Sequence, residues 1–295
     1  MMTTATLARR MTSVLCLLSL LTATALEGHQ RRPQNARNAS GAAGRQNRPG
    51  ERGFAAQIAN RDTDQSGTLS LEELSGGRMG IRKALFDAID RDGDGQISMS
   101  EAKAADRIDS YQGEPKEIEF EGKTWNATHA IGAEVKEFKG QKALHIAGRE
   151  QCLAFLPDVD FKNGTIEVDM AGDIFTGLVF RVRDGGKRTE KVYFRPQNSG
   201  TAKHQNTVQY SVIGRPDGHW SALRRNSPGK YESGAEIKQS EWFHVRLEVK
   251  DSKVEVFVND ESVLRVDPML DGGSEGAIGV WGWDSYFANY KYTKK

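Results

Sequence analysis

Two segments of twelve residues place oxygen-bearing side chains at alternate positions. The first runs from Asp62 to Glu73 and the second from Asp90 to Glu101. A calcium ion takes about six to eight hard oxygen ligands, and a chain can wrap one ion by presenting an oxygen at every second residue as it turns. Gly67 and Gly95 stand at the sixth position, where the turn requires a backbone angle that a Cβ penalises. The spacing therefore predicts two calcium ions, one in each segment.

The predicted metal ligands follow the same order in both segments. Side-chain oxygens stand at positions one, three and five, a backbone carbonyl at seven, a ligand that often acts through water at nine, and a bidentate carboxylate at twelve. In chain order these residues are Asp62, Asp64, Ser66, Thr68, Ser70 and Glu73, and then Asp90, Asp92, Asp94, Gln96, Ser98 and Glu101. Because the second segment offers one carboxylate more than the first, we expect it to bind calcium more tightly.

Both segments resemble the calcium loops of EF-hand proteins at every diagnostic position. Leu69 and Ile97 stand at the eighth position, where the resemblance implies a short antiparallel contact between the two loops. Apolar residues at helical spacing precede each loop, and Gly76-Gly77 breaks the connection between them. Residues 54–110 are therefore predicted to form a compact α-helical EF-hand pair in which calcium has a structural role.

From about residue 116 the helical period gives way to short alternating or β-branched segments. Turn residues such as Pro216-Asp217-Gly218 separate them, which is typical of an antiparallel sandwich. The strands over residues 116–293 resemble the concanavalin-like, laminin-G-type jelly roll, on segments such as Gly177-Leu178-Val179-Phe180-Arg181 and Gly276-Ala277-Ile278-Gly279-Val280-Trp281. That family includes sugar binders, protein binders and glycoside hydrolases, so the fold alone does not choose among them.

The sandwich contains one pair of carboxylates that could do chemistry. Glu167 and Asp169 would share one face of a strand, and retaining glycosidases place two carboxylates about 5–5.5 Å apart. In the jelly-roll glycosidases that use such a strand, the motif continues to a second glutamate, whereas this chain continues with Met170-Ala171-Gly172. We therefore assign no catalytic residue, and a solvated polar strand face is the alternative interpretation.

A ligand-binding face is a second candidate site. Flat aromatic rings and planar hydrogen-bond donors are the usual means of holding a sugar, and the two-residue period of a strand places several of them on one face. The residues predicted to contact the ligand are Arg181, Tyr193, Arg195, Gln209, Trp220 and Trp281.

The remaining sequence signals concern export and partners. Arg9 and Arg10 precede a short apolar run, and Ala23-Thr24-Ala25 follows it, so residues 1–25 are predicted to be a secretory signal peptide. Residues 26–53 read as a disordered basic linker. With 41 basic and 40 acidic residues, no charge excess indicates a nucleic-acid partner. Signal cleavage would leave no transmembrane segment and Cys152 as the lone cysteine, predicted to be a buried thiol.

The predicted fold class is multidomain, with a small all-α EF-hand pair followed by an all-β antiparallel sandwich of jelly-roll type. The predicted function is that of a secreted or periplasmic, cell-envelope protein that binds calcium and uses its sandwich to bind an extracellular ligand, carbohydrate in the first instance. One alternative is a jelly-roll glycoside hydrolase with a calcium-binding appendage, and a second is a protein-binding adhesion module. The oligomeric state does not follow from the sequence.

Overall fold

The computed structural model of the chain describes residues 53–75, 83–110 and 116–295. The predicted signal peptide, and the predicted linker apart from Gly53, lie outside the described residues. All three described ranges belong to one unit that spans Asn47–Lys295. Within these ranges, no helix has the length and apolar composition that crossing a bilayer requires.

The first part of this unit is helical. Its elements are α1 (Phe54–Arg61), β1 (Leu69–Ser70), α2 (Leu71–Ser75), α3 (Lys83–Ile89), β2 (Gln96–Ile97) and α4 (Met99–Ser110). The two-residue strands β1 and β2 pair antiparallel, with Leu69 opposite Ile97. Both side chains are buried in a small apolar core with Phe54 and Phe86. The antiparallel contact that the EF-hand resemblance implies is therefore present.

The second part is built almost entirely of β-strands, with one α-helix and four single 3₁₀ turns. Its elements are β3 (Lys116–Phe120), β4 (Lys123–Phe138), β5 (Gln141–Phe161), β6 (Gly164–Gly172), β7 (Thr176–Arg183), β8 (Arg188–Phe194), β9 (Val208–Ile213), α5 (Trp220–Asn226), β10 (Glu232–Ser233), β11 (Phe243–Lys250), β12 (Lys253–Val258), β13 (Glu261–Val266), β14 (Gly276–Gly282) and β15 (Asp284–Lys294).

These strands form a β-sandwich of jelly-roll type in which every pairing is antiparallel. The hydrogen-bonded order is β10-β9-β8-β7-β14-β5-β15-β6-β11-β12-β13, and the β3–β4 hairpin attaches through β5. Strand β5 pairs with β14 through Leu153–Phe161 and with β15 through Leu144–Ala147, so it belongs to both layers. Alternate residues such as Val168 and Val245 point into one large apolar core between the layers. Cys152 is buried in this core, as the sequence predicts.

Arg181 does not lie on the predicted binding face, because a β-bulge turns it into the core. The pairing of β7 with β8 shifts register between Phe180 and Arg183, and Arg181 has a positive φ of 52°. An extra residue in a strand reverses the faces of the residues that follow it. Arg181 is fully buried, and it donates to the Glu190 carboxylate at 3.0 Å and to two backbone carbonyls. Its role in this fold is to pair a buried charge.

Asp271 is a second buried charge that holds loops of the sandwich together. It accepts hydrogen bonds from Arg183 at 2.7 Å, Arg188 at 3.2 Å and Arg215 at 2.8 Å. Burial by itself raises the pKa of Asp271, but the hydrogen bonds from Arg188 and Arg215 outweigh it and lower the pKa to about 2. The folded state therefore holds this carboxylate more strongly in its charged form than the unfolded chain does.

We expect Asp271→Asn to lower the free energy of unfolding by about 2–3 kcal/mol at pH 7. Because the pKa of Asp271 is lower in the folded than in the unfolded chain, its contribution is complete above about pH 4 and is lost as the pH falls toward 2. Urea unfolding of the wild type and the variant at pH 7 and pH 2.5 measures the difference. A gap of the same size at both pH values would contradict this assignment.

The helical part packs directly onto the hairpin formed by β4 and β5. Ala147 of β5 is buried in the same small core as Phe54, Phe86 and Ile89, and Ile131 of β4 packs against that core. The guanidinium of Arg149 lies 4.0 Å from the centre of the Phe54 ring. The two parts of the unit therefore share apolar surface in addition to the chain that links them.

Candidate functional sites

The first acidic loop is folded around its own carboxylates. Asp62 accepts hydrogen bonds from the backbone N–H groups of Ser66 at 3.0 Å and Gly67 at 2.8 Å. Glu73 accepts from the N–H of Thr63 at 2.8 Å and from the N–H and hydroxyl of Ser70, each at 2.9 Å. These hydrogen bonds lower the pKa of Glu73 to about 2, so the side chain at the twelfth position is an anion.

The second loop repeats this arrangement at the equivalent positions. Asp90 accepts from the N–H of Gly95 at 3.0 Å, and Glu101 accepts from the N–H groups of Arg91 at 2.7 Å and Ser98 at 2.9 Å. Gly95 has φ of 81°, as Gly67 has 82° in the first loop, so glycine stands where the left-handed conformation requires it. Two loops of independent sequence thus have the same hydrogen-bond pattern.

The carboxylates in each loop are close enough to bind one ion. Oxygens of Asp62, Asp64 and Glu73 lie within 4.8 Å of one another, as do oxygens of Asp90, Asp92 and Asp94. Like charges at such a separation repel one another unless a cation lies between them. Hard carboxylate oxygens converging on one point are the donors that calcium prefers, so the residues present fit that ion.

A separate concave site lies on the outer face of the sandwich layer that contains β7, β8 and β14. It is a cleft of about 1010 Å³, within the range typical of sites for small molecules. Its aromatic lining residues come from widely separated parts of the chain, and they are Phe175, Tyr193, Trp220, Trp281 and Trp283. These rings are brought together by the fold, and no local sequence motif contains them all.

The floor of the cleft is an aromatic cluster. The Tyr193 and Trp281 rings meet edge to face with centroids 5.2 Å apart, and Phe175 packs against Trp283 at 4.7 Å. Trp281 and Tyr193 are buried at the back, whereas Trp220 on α5 is 38% exposed at the rim. Flat rings at the back and at the rim suit the apolar faces of a pyranose ring.

The charged residues that line the cleft are all basic. They are Lys191, Arg195, Lys203, Arg215 and Arg224, and His219 adds an imidazole beside Trp220. Among the described residues that line this space, none is an aspartate or a glutamate. The site therefore offers hydrogen-bond donors and positive charge but no lining carboxylate.

The structure brings four of the six predicted ligand-binding residues to the cleft. These are Tyr193, Arg195, Trp220 and Trp281. Arg181 is excluded by the bulge in β7. Gln209 does not line the cleft either: it is fully buried, pairs opposite Glu232 of the edge strand β10, and donates its side-chain amide to the Tyr231 carbonyl at 3.0 Å. The strand period gives Gln209 the same face as Ser211, which lines the cleft, but the Gln209 amide is bound to the Tyr231 carbonyl.

The carboxylate pair of β6 is remote from the cleft and is engaged in other contacts. Asp169 lies 2.7 Å from the Nδ1 atom of His244 and accepts from Asn289 at 2.7 Å, while Glu167 lies 3.8 Å from the Nε2 atom of His244. All of these residues belong to β6, β11 and β15, and none lines the cleft. A polar strand face is the interpretation that this arrangement supports.

Sequence reasoning missed two groups in the cleft that could take part in chemistry. Lys191 precedes Tyr193 by two residues on β8, so the two-residue period alone could have placed it on the same face. His219 comes just before α5, where its side chain accepts from the N–H of Ser221, and no periodic signal marks such a position. Only the fold, which lays α5 beside β9, brings it to the cleft.

Comparisons with known proteins agree with this architecture. The family model of the 3-keto-alpha-glucoside-1,2-lyase-like domain matches residues 120–292, and an EF-hand model matches residues 81–103, which include the second loop. A search of curated proteins finds no match. The expected β-sandwich and EF-hand are thus confirmed, while the laminin-G type of sandwich stays a prediction.

Solved structures similar to the chain have low sequence identity. The carbohydrate-binding module CBM66 from Bacillus subtilis is 14% identical with a TM-score of 0.42, covering 58% of this chain and 95% of that one. A putative glycosyl hydrolase from Parabacteroides distasonis is 17% identical with a TM-score of 0.38, covering 55% and 90%. A galectin from Caenorhabditis elegans is 9% identical with a TM-score of 0.32, covering 53% and 94%.

Proposed function

Since the chain belongs to the family of the 3-keto-alpha-glucoside-1,2-lyase-like domain, we propose that its cleft binds a glucoside oxidised to a ketone at C3 and eliminates the substituent at C1. The observation that carries this proposal is the lining of the cleft, with aromatic rings for a sugar and basic side chains without a carboxylate. Glycosidases need a pair of carboxyl groups beside the scissile bond. Elimination needs a base and positive charge near the ketone.

The chemistry of the substrate explains this requirement. A ketone at C3 acidifies the hydrogen on C2, so a base can remove that proton and leave the negative charge on the C3 oxygen. Collapse of this enolate forms a C1–C2 double bond and breaks the bond from C1 to the glycosidic oxygen. The leaving oxygen takes up a proton and departs as an alcohol. No water is consumed, and no covalent enzyme intermediate is formed.

The cleft contains each kind of residue that this reaction uses. His219 is the imidazole in the lining, and imidazole is the side chain whose ordinary protonation range suits proton transfer near neutral pH. We assign to His219 the role of the base that removes the proton from C2. The Trp281 and Tyr193 rings would hold the apolar face of the sugar, and the basic residues would favour the charge that develops on the C3 oxygen.

The decisive experiment compares 4-nitrophenyl 3-keto-α-glucoside with its unoxidised parent. We expect release of nitrophenol from the ketone alone, together with a product that contains a C1–C2 double bond. In water enriched with oxygen-18, the initial product is expected to carry no label at C1. Hydrolysis of the parent glucoside would contradict the proposal, and binding of both compounds without turnover would favour a lectin-like role.

Glu167→Gln is expected to leave the rate of this reaction within about twofold of the wild-type rate. Its carboxylate belongs to the β6–β11 face and does not line the cleft. The same progress curves of nitrophenol release measure the effect. A loss of a hundredfold would restore the carboxylate pair as a catalytic candidate and remove the basis for elimination.

We also propose that the two acidic loops bind calcium. The EF-hand match, the converging carboxylates and the paired strands β1 and β2 support this role. Because the second loop has three aspartates and a glutamate where the first has two aspartates, a serine and a glutamate, the second site is the tighter one.

Titration calorimetry with calcium tests this ranking. We expect Asp90→Ala to abolish the tighter binding event and Asp62→Ala to abolish the weaker one, since each aspartate holds the first position of its loop. The two variants are matched controls for each other. Equal losses of affinity, or retention of both events in either variant, would contradict the assignment.

A further inference from the structure

A buried cation without a carboxylate partner lies in the cleft. Arg195 follows the end of β8, and its side chain is only 8% exposed. The guanidinium donates to the Asn206 carbonyl at 2.8 Å and to the Tyr193 hydroxyl. Both acceptors are neutral, and among the described residues no carboxylate lies within ion-pair distance of it. Charged side chains are almost never buried in this way unless something pairs with them.

The other two arginines in the lining are treated differently by the fold. Arg224 binds the Glu232 carboxylate through two nitrogens, with Nε–Oε2 at 2.8 Å and Nη2–Oε2 at 2.5 Å. Arg215 binds Asp217 at 2.6 Å and Asp271 at 2.8 Å. Carboxylates are therefore available around the cleft and neutralise these two side chains. Arg195 has its positive charge available for a ligand.

A second buried cation lies over the same aromatic floor. Lys191 is 6% exposed, and its ammonium lies 3.5 Å from the centre of the Trp281 ring and 4.8 Å from that of Tyr193. The Arg195 guanidinium is 4.6 Å from the Tyr193 ring. The indole N–H of Trp283, which also lines the cleft, is buried without an acceptor. Positive charge and an unused donor thus border the rings on which a sugar would stack.

We propose that Arg195 and Lys191 form an oxyanion subsite, which holds a negatively charged oxygen of the carbohydrate in the cleft. This inference rests on the proposed function, which supplies the premise that the ligand is a sugar. The negative charge on the ligand can have two sources, and each presents an anionic oxygen to the subsite. One is the enolate formed when the C2 proton is removed, and the other is a permanent carboxylate on the substrate, as in a uronic acid. A planar guanidinium and an ammonium that border the same rings suit both.

Equilibrium binding tests the permanent source. The probes are methyl α-D-glucuronoside and neutral methyl α-D-glucoside, titrated against the full chain by intrinsic tryptophan fluorescence. If the substrate carries a carboxylate, the uronoside is expected to bind at least about tenfold more tightly, and Arg195→Met to remove that preference. Arg265→Met is the matched control, because the Arg265 side chain is 70% exposed and pairs with Glu255 on another strand.

Proton exchange tests the enolate source. In deuterium oxide, exchange of the C2 hydrogen of a 3-keto-glucoside is expected to slow by about a hundredfold in Arg195→Met, with KM changed less than about threefold. Arg195→Lys is expected to recover part of the rate because it keeps the charge. Where the methionine variant fails to fold, as its thermal unfolding would reveal, Arg195→Lys and Lys191→Met decide the question.

The two experiments separate the possible outcomes. Dependence of either readout on Arg195 supports the subsite and identifies the source of the charge. Equal binding of both methyl glycosides together with unchanged exchange in the variants would overturn it. Should the wild type exchange no C2 proton, the proposed elimination is wrong, and the uronoside titration alone decides whether the oxyanion subsite exists.

Discussion

His219→Gln is expected to lower kcat on a 3-keto-glucoside by about 10²–10⁴-fold, the usual contribution of a positioned general base. KM should change by less than about threefold, because the aromatic floor formed by Tyr193 and Trp281 stays in place. Glutamine keeps a polar side chain of similar size but cannot take up the C2 proton. Steady-state release of nitrophenol measures both constants, and C2 exchange in deuterium oxide reports on proton removal directly.

His244→Gln is the matched control for this experiment. His244 is another histidine of the sandwich, but it lies on β11 beside Asp169 and does not line the cleft. Its replacement should leave kcat within about twofold of the wild-type value. If the two variants behaved alike, or if His219→Gln kept its full exchange rate, another group would have to remove the proton.

Calcium is expected to raise the thermal unfolding midpoint of the β-sandwich as well as that of the helical pair. The reason is the shared core, in which Phe54 and Phe86 pack with Ala147 of β5. All five tryptophans of the chain belong to the sandwich, so their fluorescence reports on that part alone. For a site with Kd near 10⁻⁴ M, calcium at about 100 times Kd contributes about 2.7 kcal/mol, or roughly 5–10 °C.

The comparison requires calcium, a chelator, and magnesium as a cation that suits these loops less well. The double variant Asp62→Ala/Asp90→Ala should show the low midpoint in every buffer. The two parts unfold independently if calcium leaves the midpoint measured by tryptophan fluorescence unchanged but raises the midpoint measured by helical circular dichroism. That outcome would remove the structural role of the ion in the sandwich and leave binding to the loops intact.

The sequence was sufficient for features that depend on local spacing. The twelve-residue loops follow from the spacing of the predicted ligands, and the contact of Leu69 with Ile97 follows from the resemblance to EF-hand pairs. Strands such as β11 follow from alternation of buried and more exposed residues. In each of these elements a single spacing of residue types holds from end to end, so the prediction does not depend on contacts with distant parts of the chain.

Features of the cleft that depend on long-range contacts could not be predicted in the same way. Arg181 was placed on the wrong face because a bulge, which the residue period does not reveal, adds one position to β7. The Gln209 amide is bound to the carbonyl of Tyr231, which comes from a later part of the chain. His219 and Trp283 are more than sixty residues apart in sequence and meet in one cleft only through the order of the strands.

The double membership of β5 has a consequence for any attempt to divide this protein. The strand carries Ala147 in the core beneath the helices and, six residues later, Leu153 in the apolar cluster that includes Trp281. Deleting the helices would expose the apolar side chains of Ile131 and Ala147 to water. A sandwich expressed alone from residue 116 should therefore self-associate in size-exclusion chromatography, and solubility would be the first property lost on truncation.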